Sequence, residues 1–420
     1  YLPRVVDAEL KECLQGLGGV LIEGPRGCGK TATARQRAAS EVLLDSDPLA
    51  RQLIETDPRL VLPGPVPRLI DEWQLEPNIW NSVRRAIDDR SRPGQFILTG
   101  SAVPADDVTR HTGVLRIIRL LMRTMTLFET GHSNGEVSLA KLFQAGEQVY
   151  GRDPGLALED IAERIAVGGW PGSLRSSVRF GLRAMRAYVE EVRCVDVGRI
   201  DGVRRDPDKV GRLLRSLARN VASEVSLATL AKDTLSQDGD GADQRLDEHT
   251  VSDYLTVLRR TMVVEDQPPW VPHLRSRSAP RRTVKRHFVD SSIAVAVLGT
   301  TPERLLRNPE LLGMLFESLV VHDLRVYAQA IEGTVLHYRD NTGLEVDAIV
   351  ELPSGEWAAF EVKLGLKMID NAAMALLKFA NRVDTSRCGE PALLAVIVPP
   401  GPSYRRKDGV NVISIGTLGP

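Results

Sequence analysis

The chain has 420 residues, 43% apolar and 26% charged, which is more than one domain of about 150 residues needs and predicts two to four. Its net charge of −1, from 54 basic and 55 acidic residues, excludes a polycation that coats nucleic acid indiscriminately, so any DNA contact must be local. No apolar run approaches the roughly 18 residues of a membrane span, and Cys13, Cys28, Cys194 and Cys388 form no Cys-x-x-Cys pair and no zinc spacing, which argues against a disulfide framework or structural metal.

The segment Tyr1-Leu2-Pro3-Arg4 has no hydrophobic signal region, so the expected compartment is the cytoplasm, with no membrane contact. Up to about residue 130, short aliphatic runs alternate with helical stretches, the α/β pattern. Strands are predicted at 19–23, 68–71 and 95–99, with an Ala-rich helix over 30–42. The pattern then turns helical over 138–160, breaks at Gly168-Gly169-Trp170-Pro171-Gly172, and resumes as a helix over 177–197. Residues 207–270 hold three helical segments, 207–220, 226–235 and 250–262, with Ser226 and Thr250 where N-caps belong, followed by a strand at 263–266. That order is a winged helix. The last third runs helix (310–330), three strands (334–338, 344–351, 357–363), helix (367–381) and two strands (393–398, 410–414).

The most specific motif is Gly24-Pro25-Arg26-Gly27-Cys28-Gly29-Lys30-Thr31, a Gly-x4-Gly-Lys-Thr loop between an apolar strand and a helix. Its glycines let consecutive backbone N–H groups curl around phosphates. Lys30 reaches the β- and γ-phosphates, and the Thr31 hydroxyl takes a Mg²⁺ position, so the cofactors expected are ATP and Mg²⁺. Forty-one residues after Lys30, the strand Arg68-Leu69-Ile70-Asp71 ends in a Walker B pair: Asp71 to hold the metal and Glu72 to polarise the attacking water. A third strand ends in Leu98-Thr99-Gly100-Ser101, where Thr99 or Ser101 would sense the γ-phosphate. Phosphoryl transfer of this kind needs a further positive charge, and Arg110 and Arg116 are the expected candidates among Arg110, Arg116, Arg119 and Arg123.

A second constellation lies near the C-terminus. Period-two alternation puts Glu345 and Asp347 on one face of a strand, and Glu361 and Lys363 on one face of the next. An Asp followed about fourteen residues on by Glu-x-Lys is the spacing of a PD-(D/E)XK nuclease site. In such a site Asp347 and Glu361 hold Mg²⁺ or Mn²⁺ beside the scissile phosphate, Lys363 positions water, and Glu317 on the preceding helix supplies a further acid. Between the two sites, helix 250–262 would be the recognition helix, with Arg259, Arg260 and a basic stretch contacting DNA phosphates. That stretch, 273–287, holds Arg275, Arg277, Arg281, Arg282, Lys285 and Arg286 without an acid, whereas 233–248 holds six acids against one Arg. Trp270, after Pro268 and Pro269, is expected to pack against the wing.

Taken together, Gly24 to Thr31, Leu69-Ile70-Asp71-Glu72, Leu98-Thr99-Gly100-Ser101, Gly169-Trp170-Pro171, and Glu345-Val346-Asp347 with Glu361-Val362-Lys363 resemble the bacterial and archaeal AAA-type ATPases that carry a C-terminal domain of unknown function related to PD-(D/E)XK nucleases. The resemblance implies an α/β fold: a P-loop core of the additional-strand class (1–135), a helical lid (136–200), a winged helix (201–272) and an α/β restriction-endonuclease-like domain (273–420). The function expected is ATP hydrolysis coupled to a DNA-binding, metal-dependent nuclease module. The alternatives are a nucleotide-switched regulatory protein whose nuclease-like domain only binds partners, and a scaffold that binds ATP without turnover. Homo-oligomers and protein partners stay open.

Overall fold

The architecture comes from a computed structural model, which describes residues 1–101, 113–144, 148–196, 203, 205–234, 245–274 and 279–420. The N-terminal α/β unit is a five-stranded parallel sheet in the order β2-β3-β4-β1-β5, formed by β1 (Gly19–Glu23), β2 (Ser40–Leu43), β3 (Arg68–Asp71), β4 (Phe96–Gly100) and β5 (Ile117–Leu121). Alternation along each strand feeds two apolar layers. Leu21, Val42, Ile70 and Leu98 pack with Trp73, Trp80 and Val83 on one face; Val20, Ile22, Leu69, Ile97 and Leu120 pack with Leu10 and Ala34 on the other. Since all strands run the same way, their C-terminal ends share one rim, where this class of sheet binds ligands.

The helix expected over 30–42 is shorter, Lys30–Arg35, and 40–43 is instead β2. Val42 is buried, and the flanking amides of Ala39 and Leu44 donate to Pro67 and Asp71 beside β3, so tertiary pairing overrides the helical propensity of the alanines. The helix expected over 138–160 is likewise corrected. A short strand, β6 (Val137–Ser138), and helix Leu139–Leu142 precede a loop through Gly151, Pro154 and Gly155, and a second helix begins only at Leu158.

Helices Leu158–Val167, Val178–Glu191, Pro207–Arg219, Leu227–Asp233 and Glu248–Arg260 form the middle of the molecule, followed by an antiparallel hairpin of β7 (Val264–Gln267) and β8 (Lys285–Phe288). Ser226 caps its helix by accepting from the amide of Thr229 at 3.0 Å, but the cap before 250–262 is Asp247, accepting from Thr250 at 2.8 Å. The boundary expected at 272/273 falls inside the β7–β8 hairpin. Helix Ser291–Leu298, capped by Asp290, then buries apolar residues among the middle helices, so this segment packs with the helical unit rather than with the C-terminal strands.

The C-terminal unit is a six-stranded sheet in the order β13-β14-β12-β11-β10-β9, with strands β9 (Thr334–Arg339), β10 (Glu345–Glu351), β11 (Trp357–Val362), β12 (Leu393–Val398), β13 (Tyr404–Arg405) and β14 (Asn411–Ser414). Pairing is antiparallel from β9 to β11 and parallel from β11 through β12 to β14; helix Ile369–Arg382 makes the crossover from β11 to β12. Helix Pro309–Gln329 covers the face bearing Ala348, Val350, Phe360 and Ile397, and Ile369–Arg382 covers Val346, Ile349, Ala359 and Val396. Trp270 is a correction: its ring lies 4.9 Å from Trp357 and 6.0 Å from Phe379 in that second layer, not against the hairpin. The chain closes with β15 (Leu418–Gly419) paired to β6. Among the described residues, no helix is long and apolar enough to cross a membrane.

Candidate nucleotide site and C-terminal carboxylate cluster

The Gly24–Thr31 loop leaves β1 at the C-terminal rim of the first sheet. Gly27 and Gly29 have φ of 83° and 105°, which a side chain would resist, and a Cβ on Gly24 would strike the carbonyl of Met122. Lys30 is buried and its Nζ donates to Gly24 O at 3.0 Å and Pro25 O at 3.1 Å, so the ammonium lies across the inside of the loop. Cys28 and Pro25 are buried, while Arg26 is on the exposed turn of the loop, 3.2 Å from Glu191 at the end of helix Val178–Glu191.

The other expected ATP-site residues converge on the same rim. Thr31 Oγ1 donates to Asp71 Oδ1 at 2.8 Å; Thr99 Oγ1 donates to the same oxygen and accepts from the Glu72 amide at 3.2 Å. Burial pushes the Asp71 carboxyl above its ordinary range, against the pull of the Thr99 and Thr31 hydroxyls. Glu72 takes a left-handed backbone, φ 54°, a conformation that costs a non-glycine residue about 1 kcal/mol. Its carboxylate accepts from Ser101 Oγ at 3.1 Å and from Gln74 Nε2. Thr31 and Asp71 thus present hard oxygen donors side by side, which suits Mg²⁺.

Arg116 does not join them. It precedes β5, and because Gly19 pairs with Ile117 and Glu23 with Leu121, it sits at the opposite end of the sheet, roughly 13 Å of strand from the loop. There Arg116 Nε pairs with Asp88 at 2.9 Å. Arg119 pairs with Glu23 at 3.0 Å, Arg123 points to Glu265, and Arg110 lies outside the described residues.

Two groups at the loop were not foreseen. Arg4 is buried: Nη1 donates to Cys28 O at 2.9 Å, Nη2 to Arg123 O at 2.8 Å, and Nε pairs with Glu129 at 3.0 Å. Trp170, from the Gly-Gly-Trp-Pro-Gly break, lies with its ring about van der Waals distance from Gly27, where a Cβ would meet it at 3.7 Å. Its indole N–H donates to Ser292 Oγ at 2.9 Å, and its ring stacks 4.8 Å from Tyr188. Trp170 is signalled by its glycine-rich break and by Gly169-Trp170-Pro171 in the family resemblance, neither of which points to a contact with the loop; Arg4 has no prior signal.

From the loop, a partly buried ion cluster leads to the C-terminal half. Arg123 is bound to Glu265 on β7 and, at 2.9 Å, to Gln329 at the end of helix Pro309–Gln329; Arg325 lies 3.4 Å from Glu265. Burial would raise the Glu265 carboxyl, but the Arg123 and Arg325 guanidiniums outweigh it and hold the group far below its ordinary range. A carboxyl depressed in the folded state stabilises above its unfolded pKa, about 4.3, and that contribution fades only as pH falls towards the folded value. Glu265→Gln is therefore expected to lower the melting midpoint near neutral pH and to narrow its gap from wild type in strong acid. Scanning calorimetry from neutral pH to about pH 3 checks this; a gap constant across that range refutes it.

At the C-terminal sheet, Ala348 pairs with Phe360, so Asp347 and Glu361 are brought side by side. Lys363 Nζ lies 2.5 Å from Glu361 and 3.1 Å from Asp347, whose Oδ2 also accepts the Val362 amide at 2.8 Å. Glu317 closes the cluster from its helix. Contrary to expectation, Asp347 and Glu361 do not face an open metal position: Lys363 lies against both, and Lys285 of β8 enters the cluster 2.8 Å from Glu317, 2.9 Å from Glu345 and 3.7 Å from Asp347. Among the described residues, no three His, Cys, Asp or Glu side chains are arranged to hold a metal. Burial and the Asp347 charge push Glu361 well up, burial lifts Glu317 to about 7, and the Lys285 and Lys363 ammoniums keep Asp347 low against its burial. The basic stretch is corrected with it. Lys285 is internal, Arg286 lies 3.9 Å from Asp266, and Arg259 pairs with Asp266 at 2.8 Å, so these three do not form a free phosphate-binding face.

Residues 18–130 match the model of an AAA domain, which supports an AAA-type ATPase; 158–304 and 312–418 match two domains of unknown function, DUF8612 and DUF4143. The chain is 27% identical over 370 residues to the uncharacterized proteins Rv2008c of Mycobacterium tuberculosis and Mb2031c of Mycobacterium bovis, covering 86% of this chain and 73% of each relative. The structure of the Aeropyrum pernix ORC1 protein in complex with DNA overlays at a TM-score of 0.25 and 14% identity, covering 71% of this chain and 93% of that one, too loosely to bear on function.

Proposed function

We propose that this protein hydrolyses ATP with Mg²⁺ and passes its nucleotide state to a C-terminal domain that engages a partner. One observation carries the first half: Thr31 and Thr99 meet on one oxygen of Asp71, with Glu72 fixed beside them and Lys30 across the loop. When bound, Mg²⁺ at Thr31 and Asp71 neutralises phosphate charge. Lys30 exchanges its two loop carbonyls for phosphate oxygens, and the Glu72 carboxylate, held by Ser101 and Gln74, orients water and accepts its proton. Trp170 against Gly27, and Arg4 bridging Cys28 to Arg123, connect the loop to the lid and to Glu265 on β7.

For the C-terminal domain, partner binding is favoured over metal-dependent DNA cleavage, because the oxygens of Asp347 and Glu361 expected to ligate metal face Lys285 and Lys363. The partner class proposed is DNA, met through exposed arginines such as Arg282. Such contacts position the polymer without reading sequence, so binding should weaken steeply with salt.

The central test is calorimetric. The purified chain is expected to bind ATP in Mg²⁺, and Lys30→Ala to lose at least about tenfold in affinity, the effect of one charge-assisted phosphate contact. Absence of ATP binding by the folded wild type removes the proposal.

A further inference from the structure

The sheet carrying Asp347 and Glu361 has the acid pattern of a metal site, yet its centre is filled by the chain itself. Lys285 is 1% exposed. An ammonium this deep is stable only when carboxylates surround it, and the carboxylates are stable only with a cation among them. The distances fit an ammonium: Glu317 and Glu345 stand 2.8 and 2.9 Å from Nζ, hydrogen-bond lengths, whereas Mg²⁺ would draw its oxygens to about 2.1 Å. The second cation, Lys363, takes Asp347 and Glu361, and Arg339 stands 3.7 Å from Glu345. Lys285 also belongs to β8, in the hairpin whose other strand carries Glu265, so its position depends on the β7–β8 hairpin docking against helix Pro309–Gln329 and β10.

We propose that the Lys285 ammonium is a built-in cation that takes the place of a divalent metal in the Glu317–Glu345–Asp347 cluster, turning it into a clasp between the β7–β8 hairpin and the C-terminal sheet. Removing the lysine uncovers a latent divalent-cation site. The inference deepens the partner-binding role proposed above; salt-dependent DNA-binding measurements test that role, whereas metal titration tests the clasp, so either can fail alone.

The test is Mn²⁺ titration of the full, nucleotide-free chain, followed by the electron paramagnetic resonance signal of free Mn²⁺, with Asp71→Asn throughout to silence the ATP site. With Lys285 present, adding Asp347→Asn should leave Mn²⁺ binding unchanged. Lys285→Met should gain a single Mn²⁺ site, and Lys285→Met with Asp347→Asn should lose it again. A Mn²⁺ site that Asp347→Asn abolishes while Lys285 is intact overturns the proposal, as does a folded Lys285→Met protein that gains none. If Lys285→Met does not fold, Lys285→Gln, which keeps a hydrogen-bond donor to Glu317, is read in its place, and the Lys285-intact comparison decides without either.

Discussion

Glu72→Gln is expected to lower the turnover number for ATP by about 10²- to 10⁴-fold, the range contributed by a positioned general base, while the dissociation constant for ATP stays within a few-fold. The amide is isosteric and can still accept from Ser101, and the left-handed backbone at position 72 is untouched, so geometry survives and only proton acceptance is removed. Glu72 contacts neither Lys30 nor Thr31 among the hydrogen bonds that shape the loop, which is why binding should persist. Phosphate release under saturating ATP, with calorimetry on the same preparation, separates the two quantities. Turnover equal to wild type would remove Glu72 from the chemistry and shift attention to another group at the end of β3 or β4.

The second large effect is one of stability. Arg4→Met is expected to cost about 3–5 kcal/mol, because removing one partner of a buried pair strands the other charge. Arg4 and Glu129 side chains are 4% and 2% exposed, and the Glu129 carboxylate also accepts the amides of Val5 and Thr126 at 2.7 and 2.8 Å. Methionine fills much of the space but leaves that carboxylate without its cation and the Cys28 carbonyl without its donor. The loss should appear as a lower first transition in a urea or thermal melt, accompanied by weaker ATP binding as the loop loosens. A companion Glu129→Gln, which neutralises the stranded acid, should restore part of the stability to Arg4→Met. No shift in the melt, or no rescue, would show that the pair is not the support it resembles.

Much of the ATP site could be read from the amino-acid order because its chemistry is local. Eight consecutive residues build the loop, and the strand ends carrying Asp71 and Thr99 announce themselves as apolar runs stopping at polar groups. The C-terminal strands were legible as apolar runs for the same reason, but both are buried on both faces, and it is the antiparallel register of β10 with β11 that sets Asp347 beside Glu361. Errors arise where propensity and tertiary pairing disagree. Residues 40–43 follow an alanine-rich helix without a glycine or proline to end it, and only the open edge of β3 draws them into the sheet. Residue type alone suggests Arg116 for the ATP site, and strand register shows it at the wrong end of β5.

By itself, then, the order of residues determined a Gly-x4-Gly-Lys-Thr loop, its acid partners and most strands and helices of two α/β units, because each is written within one strand, turn or helix. Tertiary structure decided what the charges do. Arg4 meets Glu129 across 125 positions and Lys285 meets Asp347 across 62, and a basic side chain looks the same in a sequence whether it faces water or a nest of buried carboxylates. Desolvation separates those outcomes, and desolvation exists only once distant segments have packed.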